Sequence, residues 1–295
     1  MKFFSRKRPD LFDYEVTREC LTCSNTFQGK FCNRCGEKVI DQRERSIRQF
    51  FAEVLNAFTF LDGKFPRSVK SILYHPGKLA SDNVRGIRVP YMKPVSLFFV
   101  ANFLYFLFPF SEVFNTSLNS QLKYQEHSEL AQQMVQEKVA VRGLTFTDFE
   151  ISYNDASKDW AKLLLIVIVF MFSIVLGIVN YSKRRFYADH LTASFEYMAY
   201  TLLFTTIAIT SILVLVVRIA ENMNVDLLWI FNDEKKLLLP LIAISTLQFL
   251  WRMQLRFYSN HWLLSMFKAL LLFFGFFGVV MVYRFILFFV TFWSI

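Results

Sequence analysis

The chain has 295 residues, of which 54% are hydrophobic and 18% aromatic, and only 19% are charged, against about 25% in an average soluble domain. Thirty-six Phe against nine Gly and seven Pro exclude collagen-like, linker-like and disordered polypeptides. The formal net charge is +9, yet residues 1–94 hold 18 Lys+Arg against 10 Asp+Glu, while residues 111–160 hold 4 against 8. That asymmetry around apolar blocks reads as membrane topology.

Residues 1–19 are polar and open on the basic cluster Lys2, Arg6, Lys7 and Arg8, as expected of a flexible, solvated tail or of one drawn to an anionic leaflet. Residues 20–38 hold all four cysteines, Cys20-Leu-Thr-Cys23 and Cys32-Asn-Arg-Cys35, with eight residues between the pairs. Each pair places two thiolates on one tight turn, and two such turns facing each other make a tetrahedral S4 site. That donor set suits one structural Zn(II) per chain, with no open coordination position for catalysis. Disulfide or thiol redox pairs and iron are the alternatives, and a reducing compartment disfavours the disulfides. The spacer is expected to turn at Gln28-Gly29, with Phe27 and Phe31 covering the site. Lys30, Arg34 and Lys38 would offset its negative charge. Gly36 suits the backbone after the second pair, whereas Ser24 stands at the matching place after the first.

Residues 39–94 form a basic, amphipathic juxtamembrane region. Phe50, Phe51, Val54, Leu55 and Phe58 recur at helical spacing over 46–61, behind Ser46 as a cap. A second helix is expected over Pro66–Tyr74, stopped by Pro76-Gly77, and a third short one before Pro90 and Pro94. Apolar blocks follow at Val95–Phe110, Trp160–Tyr181, Phe195–Val217, Leu237–Trp251 and within Leu263–Ile295. A bilayer core of about 30 Å needs about 20 apolar residues. The region 95–295 therefore predicts an all-α integral membrane protein of about five transmembrane helices, the fourth being the weakest. No secretory signal is expected, because the first apolar block starts only near Val95.

Lys183, Arg184 and Arg185 flank one side of these blocks, as do Arg252, Arg256 and Lys268. The acidic loop 111–159 and the segment 220–234 fall on the other side. The positive-inside rule then predicts a cytoplasmic N-terminus and an extracytoplasmic C-terminus. Trp160, Trp251, Trp262 and Trp293 fall near span ends. Part of the acidic loop, around Glu126–Val141, could be helical.

Between the cysteines and the first span stand Leu61-Asp62-Gly63-Lys64-Phe65, Pro76-Gly77, then Gly86, Arg88, Tyr91 and Pro94. Together with the paired Cys-x2-Cys turns, these motifs resemble a bacterial family of membrane proteins known as domain of unknown function 3667. Its members look like a short zinc ribbon, an FDGKF stretch, a PG step and a GKR..Y..P stretch ahead of several membrane helices. The resemblance covers residues 20–110 and departs at Ile87, where the family usually has Lys. It implies the architecture and a bacterial inner membrane location, and no reaction.

Arg85, Arg88, Tyr91 and Lys93 lie within ten residues of the first span. They are candidates for contact with anionic lipid headgroups or phosphate, at about 1 kcal/mol per cation, or for simply enforcing orientation. No two of His75, His127, His190 and His261 stand at helical spacing, and no nucleophile or phosphate-loop motif is present. Glu196 lies at the start of the third span beside Asp189 and His190, in what reads as a solvated loop. Arg284 is a candidate intramembrane charge. It stands 16 residues beyond Lys268, so the two could snorkel to opposite interfaces, or Arg284 could pair with Glu196.

The resulting expectation is a non-enzymatic membrane protein whose zinc ribbon docks a cytosolic partner or an assembly. The alternative is a transporter or lipid-handling protein. Nucleic acid is not an expected partner, because the ribbon has no recognition helix.

Overall fold

The computed structural model describes residues 13–39, 63–107, 114–223 and 238–295. The amphipathic helix expected at 46–61 and the basic cluster at 2–8 lie outside them.

The N-terminal unit is built on its two cysteine turns. Strand β1 (Arg18–Glu19) pairs antiparallel with β2 (Thr26–Phe27), placing Arg18 opposite Phe27 and Glu19 opposite Thr26. A single bridge joins Phe31 to Lys38. Each pairing closes around one Cys-x2-Cys turn. The expected hairpin over the spacer is therefore absent, and Gly29, at φ +95°, lies in the link between two smaller hairpins. The reason is local: a cysteine turn already reverses the chain, so its own flanks meet and bond. This also draws Arg18 and Glu19 out of the tail and into the ribbon.

Helices α1 (Lys64–Tyr74) and α2 (Lys78–Arg85) follow, separated by His75-Pro76-Gly77. The Ser68 hydroxyl donates to Lys64 O and accepts from Met92 N at 2.8 Å, which pins the approach to the first apolar helix. That helix, α3 (Pro94–Leu107), is succeeded by α4 (Leu118–Tyr124), α5 (Ser128–Arg142) and α6 (Phe146–Val179). Beyond a 3-10 turn (Tyr181–Lys183), α7 (Tyr187–Tyr200) widens into a π segment (Thr201–Ala208) and continues as α8 (Ile209–Asn222). The last two helices are α9 (Leu238–Arg256) and α10 (Trp262–Ser294). In the π segment, the Thr205 and Thr206 hydroxyls both donate to Thr201 O, while Thr201 donates to Tyr197 O. Such back-bonding competes with the regular ladder and accompanies its loosening.

Among the described residues, four helices are long and apolar enough to cross a membrane: Phe146–Val179, Tyr187–Ala220, Leu238–Arg256 and Trp262–Ser294. Within their most apolar windows only 22–39% of the residues are buried. Ile174, Ile178, Phe267, Phe274 and Phe277 are among the large apolar side chains these helices expose, a surface suited to lipid rather than water. The chain is a multi-pass membrane protein. Among the described residues the count differs from the expected five at the first block, which is described only to Leu107, and not at the fourth. Helix α3 has 14 described residues, about 21 Å, whereas the fourth block forms a 19-residue helix.

Helices α6 and α10 run antiparallel along most of their lengths. Asn180 meets Lys268 at one end, Phe172 meets Phe276 midway, and Tyr153 and Phe149 meet Phe288 and Phe292 at the other. Gly275 permits the close approach, since a Cβ there would lie 2.7 Å from Val175 Cγ1. At 34 and 33 residues, about 50 Å each, both exceed a bilayer and project together beside α4 and α5. The opposite ends gather around α1, α2 and the ribbon.

Candidate metal centre and its anchorage

The four cysteine sulfurs lie within 4.8 Å of one another. Cys20 Sγ is 3.5 Å from Cys35 Sγ, and Cys23 Sγ is 3.7 Å from Cys32 Sγ. All four thiols are free, and these separations are far beyond the ~2.05 Å of a disulfide. They match the edge of a tetrahedron, about 3.8 Å when a metal sits about 2.3 Å from each sulfur. The cluster can hold a metal ion.

The two halves of the site repeat one geometry. Cys20 N donates to Asn25 O and Ser24 N to Cys20 O; twelve residues on, Cys32 N donates to Glu37 O and Gly36 N to Cys32 O. Ser24 and Gly36 both take positive φ, 54° and 75°, so Ser24 adopts the left-handed form that glycine would adopt freely. Burial opposes ionisation of Cys32. The backbone N–H groups of Cys35 and Arg34, helped by the Cys23 and Cys35 thiols, nonetheless lower it to about 6. Burial, opposed by the Glu37 N–H and reinforced by the other three thiols, pushes Cys35 up to about 12. Cys32 thus ionises readily, whereas clearing the Cys35 proton calls for a bound cation. Phe27 is buried beside the sulfurs as expected, but Phe31 is 58% exposed and does not cover them.

Glu37, one residue beyond Gly36, ties this unit to the rest of the chain. Its side chain accepts from Thr22 Oγ1 at 2.7 Å inside the ribbon. It also accepts from Arg88 N at 3.0–3.1 Å and Val89 N at 3.0 Å, just beyond α2. Sequence reasoning passed over Glu37, because nothing near it in the chain marks it. Replacing it with Gln sets an amide donor against backbone donors. We expect a loss of about 2 kcal/mol in ribbon docking, read as about 30-fold faster amide exchange at Arg88 and Val89 with the cysteine site still loaded.

A second carboxylate organises the other end of α2. Glu196 is fully buried, so the solvated-loop reading is corrected. Its Oε1 accepts from Gly77 N at 2.8 Å and its Oε2 from Ala80 N at 2.6 Å. It supplies the cap that Gly77, the N-cap residue, has no side chain to make. Arg256 Nη1 donates to Pro76 O at 3.2 Å, adding a cation beside it. Gly77 itself has no substitute. Its φ is +79°, and a Cβ would fall 2.9 Å from Met253 Cα on α9. Gly77→Ala should therefore cost about 2 kcal/mol or more, seen as a lower thermal midpoint in detergent. Gly63→Ala, which meets open space, should leave stability within about 0.5 kcal/mol of the parent.

The basic cluster takes separate positions. Arg85 ends α2 and is exposed; Arg88 Nε turns back toward Asn83 O at 3.4 Å; Lys78 Nζ lies 5.8 Å from the Tyr91 ring centroid; Lys93 is half-buried. Arg284 sits near α4, its carbonyl accepting from Gln121 Nε2 at 3.4 Å. Glu196 is engaged at the opposite end of the helices, so the two do not pair. Lys268 Nζ donates to Asn180 Oδ1 at 3.1 Å. Among the described residues, the four cysteines form the one cluster of metal-ligating side chains.

Residues 62–106 match a family model described as "Protein of unknown function (DUF3667)". The match takes in α1, α2 and nearly all of α3, and leaves out the ribbon. The two carboxylates that hold α2 at its ends, Glu37 and Glu196, come from outside the matched segment. No curated protein and no solved structure matches the chain.

Proposed function

We propose that this chain, whose residues 62–106 match a family of unknown function, is a non-enzymatic membrane protein. Its Cys20–Cys23–Cys32–Cys35 site holds one structural Zn(II), and its ribbon serves as a docking or assembly module. The observation that carries the reading is the ribbon's exposed apolar side chains. Leu21, inside the first cysteine turn and lining the crevice to the end of α2, and Phe31, just before the second turn, are 59% and 58% exposed on a unit tied to the chain through Glu37. Exposed apolar side chains on a small, metal-stapled scaffold suit contact with a protein partner. A d10 ion accepting four thiolates fits the donor set and the sulfur spacing, and a site closed by four protein ligands leaves no open position for substrate.

The ribbon faces the cytosol, in this reading, at a bacterial inner membrane. The support is electrostatic. Cations distant in sequence converge at the ribbon end: Lys183 on Ser259 O, Arg185 on Phe257 O, Arg252 on Tyr74 O and Arg256 on Pro76 O. The other end, where α4, α5 and the start of α6 lie, carries the acidic loop. The C-terminal turn of α10 meets that end, with Lys138 Nζ donating to Phe292 O, which fits an extracytoplasmic C-terminus. At the inner leaflet, Arg85, Arg88, Tyr91 and Lys93 would meet anionic headgroups.

The test is co-purification of the full chain in mild detergent, with metal analysis on the same sample. A Leu21→Ser/Phe31→Ser double variant should keep its metal and lose a cytosolic protein that the parent retains stoichiometrically. Identical co-purifying proteins for parent and variant would remove the docking role. Labelling of Cys20–Cys35 from outside intact cells, after metal removal, would reverse the orientation.

A further inference from the structure

A cavity of about 700 Å³ opens where α6 ends, lined by Ile174, Gly177, Ile178, Arg184, Tyr187 and His190, among others. Its walls are of two kinds. Ile174 and Ile178 are exposed on the last turns of α6, and Gly177 between them is half-buried and turned toward His190. The 3-10 turn, with Arg184 and Arg185 after it, then brings cations and hydroxyls to the same opening. The volume falls within the roughly 300–1,000 Å³ of small-molecule sites.

The turn is fastened so that one cation is left over. Lys183 Nζ donates to Ser259 O at 3.1 Å, and Arg185 donates to Phe257 O with its guanidinium 4.4 Å from the Phe257 ring centroid. Arg184 stands between these two pinned side chains. It is exposed, and no carboxylate pairs with it among the described residues. Its backbone takes φ +48°, a conformation costly for any side chain but glycine. Asp189 is buried nearby and does not line the opening. His190 Nδ1 is paired with the Tyr258 hydroxyl at 2.8 Å, which fixes the inner wall. The cavity therefore offers positive charge and an apolar wall at one opening, at the end of a membrane span.

We propose that this cavity binds an anionic glycerophospholipid from the leaflet on the ribbon side, with its phosphate at Arg184 and an acyl chain against Ile174, Gly177 and Ile178. Charge complementarity selects the headgroup, and the adjoining apolar wall requires a lipid rather than a free anion. The site lies apart from the Arg85–Lys93 cluster and stands whether or not the ribbon has a protein partner.

The test is native mass spectrometry of the full chain released from nanodiscs of equal parts phosphatidylglycerol and phosphatidylcholine. The parent should retain one phosphatidylglycerol at least tenfold over phosphatidylcholine. Arg184→Gly should abolish the preference while folding at least as well as the parent, because glycine relieves the positive φ. Gly177→Phe should reduce retention of either lipid by filling the slot, where a Cβ meets His190 at 3.7 Å, and an unchanged thermal midpoint in detergent would show that the helix holds the larger ring. Lys70→Gln, which removes a cation outside the cavity, should change nothing. Equal retention of the two lipids, or an unchanged preference in Arg184→Gly, overturns the proposal. So does full displacement of the lipid by millimolar inorganic phosphate, which would assign a headgroup-only anion site.

Discussion

Glu196→Ala should release α1 and α2 from the membrane helices at a cost of about 3 kcal/mol. The side chain makes two hydrogen bonds to backbone N–H groups in a fully buried setting. Charge-assisted bonds of this kind contribute about 1.5–3 kcal/mol each, and the orphaned donors stay buried after the truncation. Glu196→Gln should lose about half as much, since its amide retains one acceptor. Limited trypsin digestion in detergent gives the readout. Lys64, Arg67, Lys70, Lys78 and Arg85 all lie in the released segment, and cleavage there should accelerate by about 100-fold if it proceeds through local opening. Cleavage after Lys183–Arg185 should not change. An Ala variant digested at the parental rate would mean that α2 is held by packing alone.

Cys32→Ser should have the larger effect, confined to the ribbon. Apparent metal binding free energies for structural four-ligand sites reach about 10–16 kcal/mol, and in a unit this small they are the folding free energy. Loss of one thiolate should remove the bound metal, measured by elemental analysis of the purified chain, and expose Arg18, Arg34 and Lys38 to trypsin. Because Glu37 hangs on the second cysteine turn, amide protection should also vanish at Arg88 and Val89. The apolar helices should keep their helicity, since none of their packing passes through the ribbon. Stripping the parent with a chelator should reproduce the variant's digestion pattern, and adding Zn(II) back should reverse it. A Cys32→Ser protein that retains a full equivalent of metal would refute the four-thiolate site.

Much of the local structure was legible in the residues. Pro76-Gly77 marked the break between α1 and α2, and the helical stretch in the acidic loop appeared as α5. Cysteine spacing alone was enough to place a four-sulfur site. The hairpins around the cysteine turns were misplaced onto the spacer, because strands of two residues carry no periodicity to read. The first block, expected over Val95–Phe110, is described only as far as Leu107, so the described helix is shorter than the apolar run that hydropathy counts.

Glu196 left a faint signal as the one charged residue in the stretch from Leu191 to Val217, where an acid must find partners. Glu37 left none. Both caps join residues far apart in the chain, 119 and 116 positions for Glu196 and 51 for Glu37, and their value arises only once burial has removed water as the competing partner. Composition and spacing determined by themselves that the chain is helical, lies in a membrane and carries four clustered thiols, because those properties are sums over neighbouring residues. Which carboxylate holds which helix end, and which arginine is left exposed between two pinned cations, depended on the helices coming together.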